Sequence, residues 1–520
     1  MIVICIFLSL TIISAVNYMK TRRKRALITN ISGPLALPLI GSVHKFLLLT
    51  PQNFLTKSRN YLNKFGTLSH CWLFERLFVL TADYEFVTQL LHSTDHLTTG
   101  YNNLLQPVFG NGMLRRDGEE WQQRRQLITH GLQPQTTLND FVQVFATQAD
   151  VLCEQLRVEC DGKSSFDIQP YVEIAVYDVL SATVLGVEGR APQSQQVKPV
   201  KLEYAKAVFA LIDLITSRFL SLHSANYTIY SILCPLQKRR QRYLLNTINR
   251  INNDLISDQR AAAAAGDKTS EETYTIQVND ESHNEMRSTQ RHGTLLKILC
   301  AAHIAGEPLS NAEICDELNT FILQGCLLTP AAISFALVMI ARHPSVQQKL
   351  LTELREIWPK GTNVCDFTMD NLLKLKYLEN VINETLRLYP PQPIIARDLK
   401  HNFNYTHSQY KDGVLPAESE IYINVFEMLR LPESFADPEC FRPERFDAAL
   451  TNASTDMVAW GLGPRNCVAK KCTMLLMKTV IAQLLLAYEI LPFGEELRLE
   501  VKIVLRSSNG WQVGLRAHDD

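Results

Sequence analysis

The chain has no surplus of charge of either sign: 52 Lys and Arg meet 53 Asp and Glu, a formal net charge of -1. A generic nucleic-acid binder needs a basic field to neutralise phosphates, so that class is excluded. Cysteine is sparse, 12 in 520 residues without a repeated spacing, which excludes a disulfide scaffold. There is no internal repeat, no G-x-x-x-x-G-K-[ST], no G-x-S-x-G and no H-E-x-x-H. Phosphate-loop, α/β-hydrolase and zincin readings lose their usual support. At 46% hydrophobic and 20% charged, the composition is that of a globular protein rather than a disordered, collagenous or coiled-coil chain.

What the chain does have begins at the N-terminus. Ile2 to Met19 is uncharged and mostly aliphatic, interrupted by Ser9, Thr11, Ser14 and Asn17. As a helix it would reach roughly 27 Å, enough to cross a thin bilayer. Lys20-Thr-Arg-Arg-Lys-Arg25 follows directly. Charge after the apolar run, not before it, favours an uncleaved anchor over a cleaved signal, with the bulk of the chain in the cytosol. Asn226-Tyr-Thr228 and Asn452-Ala-Ser454 would then never meet the glycosylation machinery. The expected organisation is a transmembrane anchor over 1–19, a basic stop and Pro-rich hinge over 20–45, and one large domain over 46–520. Asp258 to His292 carries an alanine run, many charges and few large apolar residues, and is expected to be a disordered surface loop. Helices are expected over most of 50–255 and again from Leu295 to about Lys376, with a β-rich run at Leu77 to Thr81 and turns and short strands beyond Pro390. Asn509-Gly510 between Val504-Leu505 and Val513 predicts a two-residue hairpin.

Trp460-Gly-Leu-Gly-Pro-Arg-Asn-Cys467-Val-Ala469 is a Gly/Pro loop ending in a cysteine, followed by a long amphipathic helix from about Lys470. A thiolate at a helix N-terminus beside an arginine is favoured in its ionised form. Such a thiolate can ligate haem iron and push electron density towards bound dioxygen. The plain alternative is a buried free cysteine at a helix start, which is the expected reading for Cys472.

This segment resembles the haem-binding loop of the cytochrome P450 family, F-x-x-G-x-R-x-C-x-G. Gly463, Arg465 and Cys467 match; Trp460 replaces the Phe and Ala469 the last Gly. Glu384-Thr-Leu-Arg387, then Tyr389-Pro-Pro391, Arg397 and Phe441-Arg-Pro-Glu-Arg445-Phe446, resemble the family's structural Glu-Arg-Arg core. Trp121 and Arg125, at i and i+4, resemble its haem-propionate pair, and Arg397 and Arg465 match further propionate positions. The alternative for Trp121 is an ordinary core tryptophan. The resemblance covers nearly the whole chain and implies a mainly α fold with small β-sheets, haem b on Cys467, and an endoplasmic-reticulum enzyme facing the cytosol. Its implied partners are a lipophilic substrate, NADPH-cytochrome P450 reductase and cytochrome b5.

Ser310-Asn-Ala-Glu313 reads as a capping box opening a helix that runs to about Arg342. Its middle, Glu317-Leu-Asn-Thr-Phe-Ile-Leu-Gln324-Gly-Cys-Leu-Leu-Thr329-Pro330, resembles the signature of the fatty-acid ω-hydroxylase branch, family four, E-V-D-T-F-M-F-E-G-H-D-T-T. The acid and alcohol that relay protons in the family fall on Leu327 and Leu328, and leucine has no proton to give. Thr329 keeps a hydroxyl, but one residue further on turns it about 100° around the helix. The haem-esterifying glutamate of the branch falls on Gln324, so the haem is expected to be non-covalent. Pro330 leaves the Cys326 carbonyl without its N–H partner, and a kink is expected there. That kink is either the family's oxygen-binding groove with the freed carbonyl anchoring a water, or a bend without chemistry. Three functions follow: a monooxygenase, a haem-thiolate isomerase or dehydratase of lipid hydroperoxides, and a non-catalytic haem- or ligand-binding protein. Lys470, Lys471 and Lys478 are candidates for docking the reductase, or else a solvated helix face.

Overall fold

A computed structural model of the chain describes residues 2–46, 48–93, 96–98, 102–188, 199–218, 227–265, 274–276, 293–304, 306–359, 367–447 and 458–518. The fold is mainly helical with small sheets. It divides into two compact units: Met1–Asn102 with Gln392–Glu439 and Asp456–Asn466, and Asn103–Pro391 with Cys440–Thr455 and Cys467–Asp520.

The first unit is built on a sheet. The opening helix α1 (Ile2–Leu27) does not stop at the charged run, since lysine and arginine are good helix formers. Its basic end is tied to the unit: Lys24 pairs with Glu418 at 2.7 Å, and the Arg25 guanidinium lies 4.3 Å from the centre of the Trp72 ring. The expected Pro-rich hinge is docked rather than free, because its non-proline residues find sheet partners: Ser32 bridges Ser69 and Gly41 bridges Leu73. Strands β1 (Leu68–Leu73) and β2 (Arg76–Thr81) form a hairpin. Strands β3 (Ile394–Leu399) and β4 (Glu420–Asn424) complete the sheet, β4 running parallel to β2 and antiparallel to β3. The short strand His96–Thr98 closes its far edge. Leu77, Val79 and Thr81 alternate inwards on β2 and meet Phe86, Leu90, Ile421 and Ile423 in the core, the period of two that a one-sided sheet requires. Arg397 sits on β3, in register between Ile421 and Thr98.

The second unit is helical. Helix α2 (Gly118–Leu132) precedes the long central helix α3 (Asn311–Arg342), whose expected capping box is formed by Ser310 and Glu313. α3 runs unbroken through Pro330. Gly325 lets it approach helix Gln169–Leu180: a Cβ there would stand 2.6 Å from Leu180 Cδ1. Helix α4 (Lys376–Leu388) and helix α5 (Lys470–Ala487) complete the frame of the site. α5 is not amphipathic throughout: from Leu475 to Leu486 every residue is buried.

Two further expectations change. Helix Pro235–Ala264 carries Asp258 to Ala264, since alanine has the highest helix propensity, and Tyr274–Ile276 pairs in parallel with Ala302–Ile304. The rest of the expected loop, together with Asn226 and Asn452, lies outside the described residues. The hairpin predicted at Asn509-Gly510 is formed one strand earlier, between Leu499–Lys502 and Val504–Ser507, with Ile503 at φ 66° in the turn. Gln512–Ala517 instead pairs with Tyr488–Leu491, so Asn509-Gly510 joins strands of different sheets.

Candidate functional site

In the first unit the loop leading to the cysteine makes two 3-10 turns, Val458–Trp460 and Gly463–Arg465. Gly463 has φ 68° and sits against helix Tyr84–His92, where a Cβ would fall 2.0 Å from the Leu91 carbonyl oxygen. Packing within the unit therefore already demands glycine there. The Trp460 Nε1–H is buried without a hydrogen-bond partner among the described residues. Arg397 is buried, its Nη1 donates to the Ala396 carbonyl at 2.8 Å, and its Nε has no partner among the described residues. Burial, together with the charge of Arg465, pushes the Arg397 guanidinium down to about 10. Two guanidiniums are thus held near each other, one of them with a dry, unsatisfied N–H, an arrangement suited to an anion.

In the second unit Cys467 is half-buried, and α5 starts at Lys470 as expected. Burial raises its thiol, while the Ala469 N–H and the charges of Arg125 and Lys470 favour the thiolate. Arg125 and Trp121 lie on α2, both partly buried. Burial lowers the Arg125 guanidinium and the Cys467 sulfur raises it, so these two are electrostatic neighbours. Cys472 is pushed up to about 12 by burial and by Cys467, the behaviour of a packing thiol.

The E-x-x-R pair closes as expected. Glu384 and Arg387 are fully buried and joined at 2.7 and 3.0 Å. Arg445 Nε and the Arg442 backbone N–H donate to the same carboxylate at 2.9 and 2.8 Å. Both guanidiniums also reach the Cys440 carbonyl at 3.2 Å. Four N–H donors converge on this one carboxylate, which is what keeps such buried charges tolerable.

The middle of α3 is different. Phe321, Gln324, Leu327 and Leu328 are half-buried positions on a helix otherwise largely buried. Thr329 is buried, and neither its hydroxyl nor the Gln324 amide makes a hydrogen bond among the described residues. The stripe carries one amide and no hydroxyl or carboxyl.

Lys470 and Lys471 are exposed, but Lys478 is not available for docking. It is 1% exposed and held by Glu379 at 2.8 Å and the Leu372 carbonyl at 3.0 Å, because α5 has entered the core by that point. Residues to which the sequence motifs gave no role are Asp316, Glu317 and Arg124, which tie the start of α3 to α2 and to the segment before it. Their signal was a carboxylate doublet at the head of an apolar helix.

The cytochrome P450 family model matches residues 31–511. "Probable cytochrome P450 316a1" of Drosophila melanogaster is 38% identical over 99% of this chain and 100% of its own length. "Cytochrome P450 4d8" of the same organism is 36% identical over 90% of this chain and 98% of its own. "Cytochrome P450 4d2", also of that organism, is 32% identical over 94% and 93%. The chain belongs to the cytochrome P450 family, and it is an oxidoreductase of the monooxygenase type. Family membership implies haem on a cysteine thiolate, and this chain fits that group: a sulfur flanked by cations, a guanidinium pair with a buried unsatisfied N–H, and an orphan indole donor on the loop before the cysteine.

Proposed function

We propose that the protein inserts one atom of dioxygen into a lipophilic substrate, such as a fatty acid, a sterol or another lipid. Electrons come from NADPH through a cytochrome P450 reductase, with cytochrome b5 as a second donor. Haem b is held by the Cys467 thiolate and by its propionates on Trp121, Arg125, Arg397 and Arg465. The observation that carries this reading is the Arg397–Arg465 pair, whose mutual repulsion and unsatisfied Nε call for a bound anion. When bound, the haem supplies oxygen activation, aided by electron donation from the sulfur. The charges of Arg125 and Lys470 favour the ionised sulfur, against the burial that raises its thiol. Gln324 leaves the haem non-covalent, so acidified organic solvent should extract it; retention on the protein after that treatment overturns the assignment.

Phe321, Leu327 and Leu328 offer the substrate an apolar, water-excluding face. Protons then arrive through Thr329, ordered water or a hydroxyl of the substrate. α1 anchors the enzyme in the endoplasmic-reticulum membrane with the body in the cytosol, and Lys470 and Lys471 meet the reductase. The absence of a carboxyl or hydroxyl from the α3 stripe favours one second reading, rearrangement or dehydration of lipid hydroperoxides, which bring their own O–O bond. A product assay separates the two. Haem-loaded protein is given reductase, NADPH and a fatty-acid and sterol panel, and in parallel lipid hydroperoxides alone. Products gaining one oxygen in the reductase arm support monooxygenation; rearranged hydroperoxides without NADPH replace it.

A further inference from the structure

Glu317 stands on α3 two turns before Gln324 and takes no part in the chemistry above. It is 1% exposed, yet both of its carboxylate oxygens accept from one donor, the Met113 backbone N–H, at 2.9 and 3.0 Å. Its neighbour Asp316 accepts from the Asn111 N–H at 2.8 Å. The segment lies too close to α3 for either of its glycines to carry a side chain. A Cβ on Gly110 would lie 2.1 Å from Asp316 Oδ1, and one on Gly112 would lie 2.6 Å from Thr320 Oγ1.

The same segment leads directly into α2. Asp117 stands at its N-cap, and contacts around it help give the first turn its placement. Arg116 supplies part of it, donating to the Asn111 carbonyl at 2.7 Å and pairing with Glu120 at 2.8 Å and Glu313 at 3.2 Å. Buried Arg124, on α2 itself, pairs with Glu313. Burial pushes the Glu317 carboxyl up to about 7, opposed by the Met113 N–H and the charges of Arg124 and Arg116 and reinforced by Asp316. A group so costly to bury is kept for its acceptor oxygens, since leaving Met113 unpaired would cost more than an ordinary hydrogen bond gains.

We infer that Glu317, with Asp316, is a positioning residue that latches Gly110–Met113 onto α3 and thereby fixes the start of α2, so that Trp121 and Arg125 are presented to the haem. This rests on the reading of Trp121 and Arg125 as propionate partners. The latch is a matter of an acceptor oxygen and not of charge, because one oxygen suffices for one N–H.

The test uses the full-length haem-loaded protein and two measurements: hydrogen–deuterium exchange of residues 110–121, and the rate of haem transfer to apomyoglobin. Glu317→Leu removes the acceptor at similar volume and should speed both, haem transfer by about tenfold, the size of one lost buried hydrogen bond. Glu317→Gln keeps an oxygen in place and should restore both rates to near wild type. Gly112→Ala pushes the segment off α3 from the other side and should behave like Glu317→Leu. Unchanged exchange over 110–121 in Glu317→Leu overturns the latch, and Glu317→Gln as fast as Glu317→Leu overturns the acceptor role. Loosened exchange with haem transfer at the wild-type rate overturns the link to the cofactor. Arg125→Met is the separate arm: if it releases haem at the wild-type rate, the propionate reading falls and takes the haem half of this inference with it, while the exchange data still decide the latch.

Discussion

At Glu384 the carboxylate is fully engaged, by Arg387, by Arg445 and by the Arg442 backbone N–H, whereas at Gln324 and Thr329, on the middle of α3, no side-chain hydrogen bond is made among the described residues. Both stretches are helical and both resemble family motifs, one intact and the other altered at the residues that carry protons. A motif that stabilises the fold is complete within the protein, because unpaired buried charge is too costly to keep. A motif that serves a reaction leaves its polar groups open, so its residues can change without the helix changing. Leu327 and Leu328 sit in a helix with an intact capping box and an unbroken backbone course.

The largest effect should come from breaking the closed side of this contrast. Glu384→Ala leaves Arg387 and Arg445 buried without their shared carboxylate, and is expected to cost about 3–5 kcal/mol and abolish haem loading. Urea unfolding and the Soret absorbance of purified protein measure both; a loss under about 1 kcal/mol would mean the cluster relaxes and is not a keystone. Next comes Glu317, which is closed in geometry but strained in charge. Its carboxyl stands at about 7 in the folded chain against an ordinary 4.5, so the folded state binds the proton more tightly than the unfolded one. Its contribution to stability is therefore greatest below the ordinary value and declines as pH rises between the two. Wild type should lose roughly 3 kcal/mol relative to Glu317→Gln from pH 4.5 to pH 7. A stability difference flat across that window would show that the carboxyl titrates normally.

Much of this was legible in the sequence, for identifiable reasons. The capping box, the start of α5 at Lys470, strand Arg76–Thr81 and the Glu384–Arg387–Arg445 cluster each depend on residues close in sequence or on charges with few places to go. Lys478 was misjudged because helical spacing from Lys471 puts both on one face but does not say where the helix dives into the core. The hairpin at Asn509-Gly510 was misjudged because turn propensity is local, whereas strand partners are chosen by the rest of the sheet. Glu317 matched a motif letter, but its partner, Met113, is about two hundred residues away and contributes a backbone N–H that no side-chain pattern reveals.

On the open side the effects should be smaller and should appear in chemistry rather than stability. The double change Leu327→Asp with Leu328→Thr restores the acid and alcohol at half-buried positions, where neither needs a partner to be tolerated. If proton delivery limits the enzyme, product formed per NADPH consumed should rise about tenfold, one order of magnitude under the roughly hundredfold low end for a well-placed proton donor. An unchanged ratio would mean that protons already arrive by another route, and that the leucines shape the substrate pocket instead.

Trp460 should give the smallest shift and the sharpest discrimination. Its Nε1–H is buried and without a protein acceptor among the described residues, seven residues before Cys467 along a loop fixed by Gly463. If the haem-bound thiolate is the missing acceptor, the N–H stabilises negative charge on sulfur and so favours the reduced iron. Trp460→Phe, which keeps the ring and removes the donor, should then lower the reduction potential by some tens of mV, the equivalent of ~1 kcal/mol for a one-electron couple. Unfolding stability need not fall, since a buried unsatisfied donor is also removed. A potential identical to wild type, measured by spectroelectrochemistry, would place the indole N–H away from the sulfur. The indole N–H would then remain an open polar group of its own on the loop before the cysteine, beside those of α3 and the paired guanidiniums.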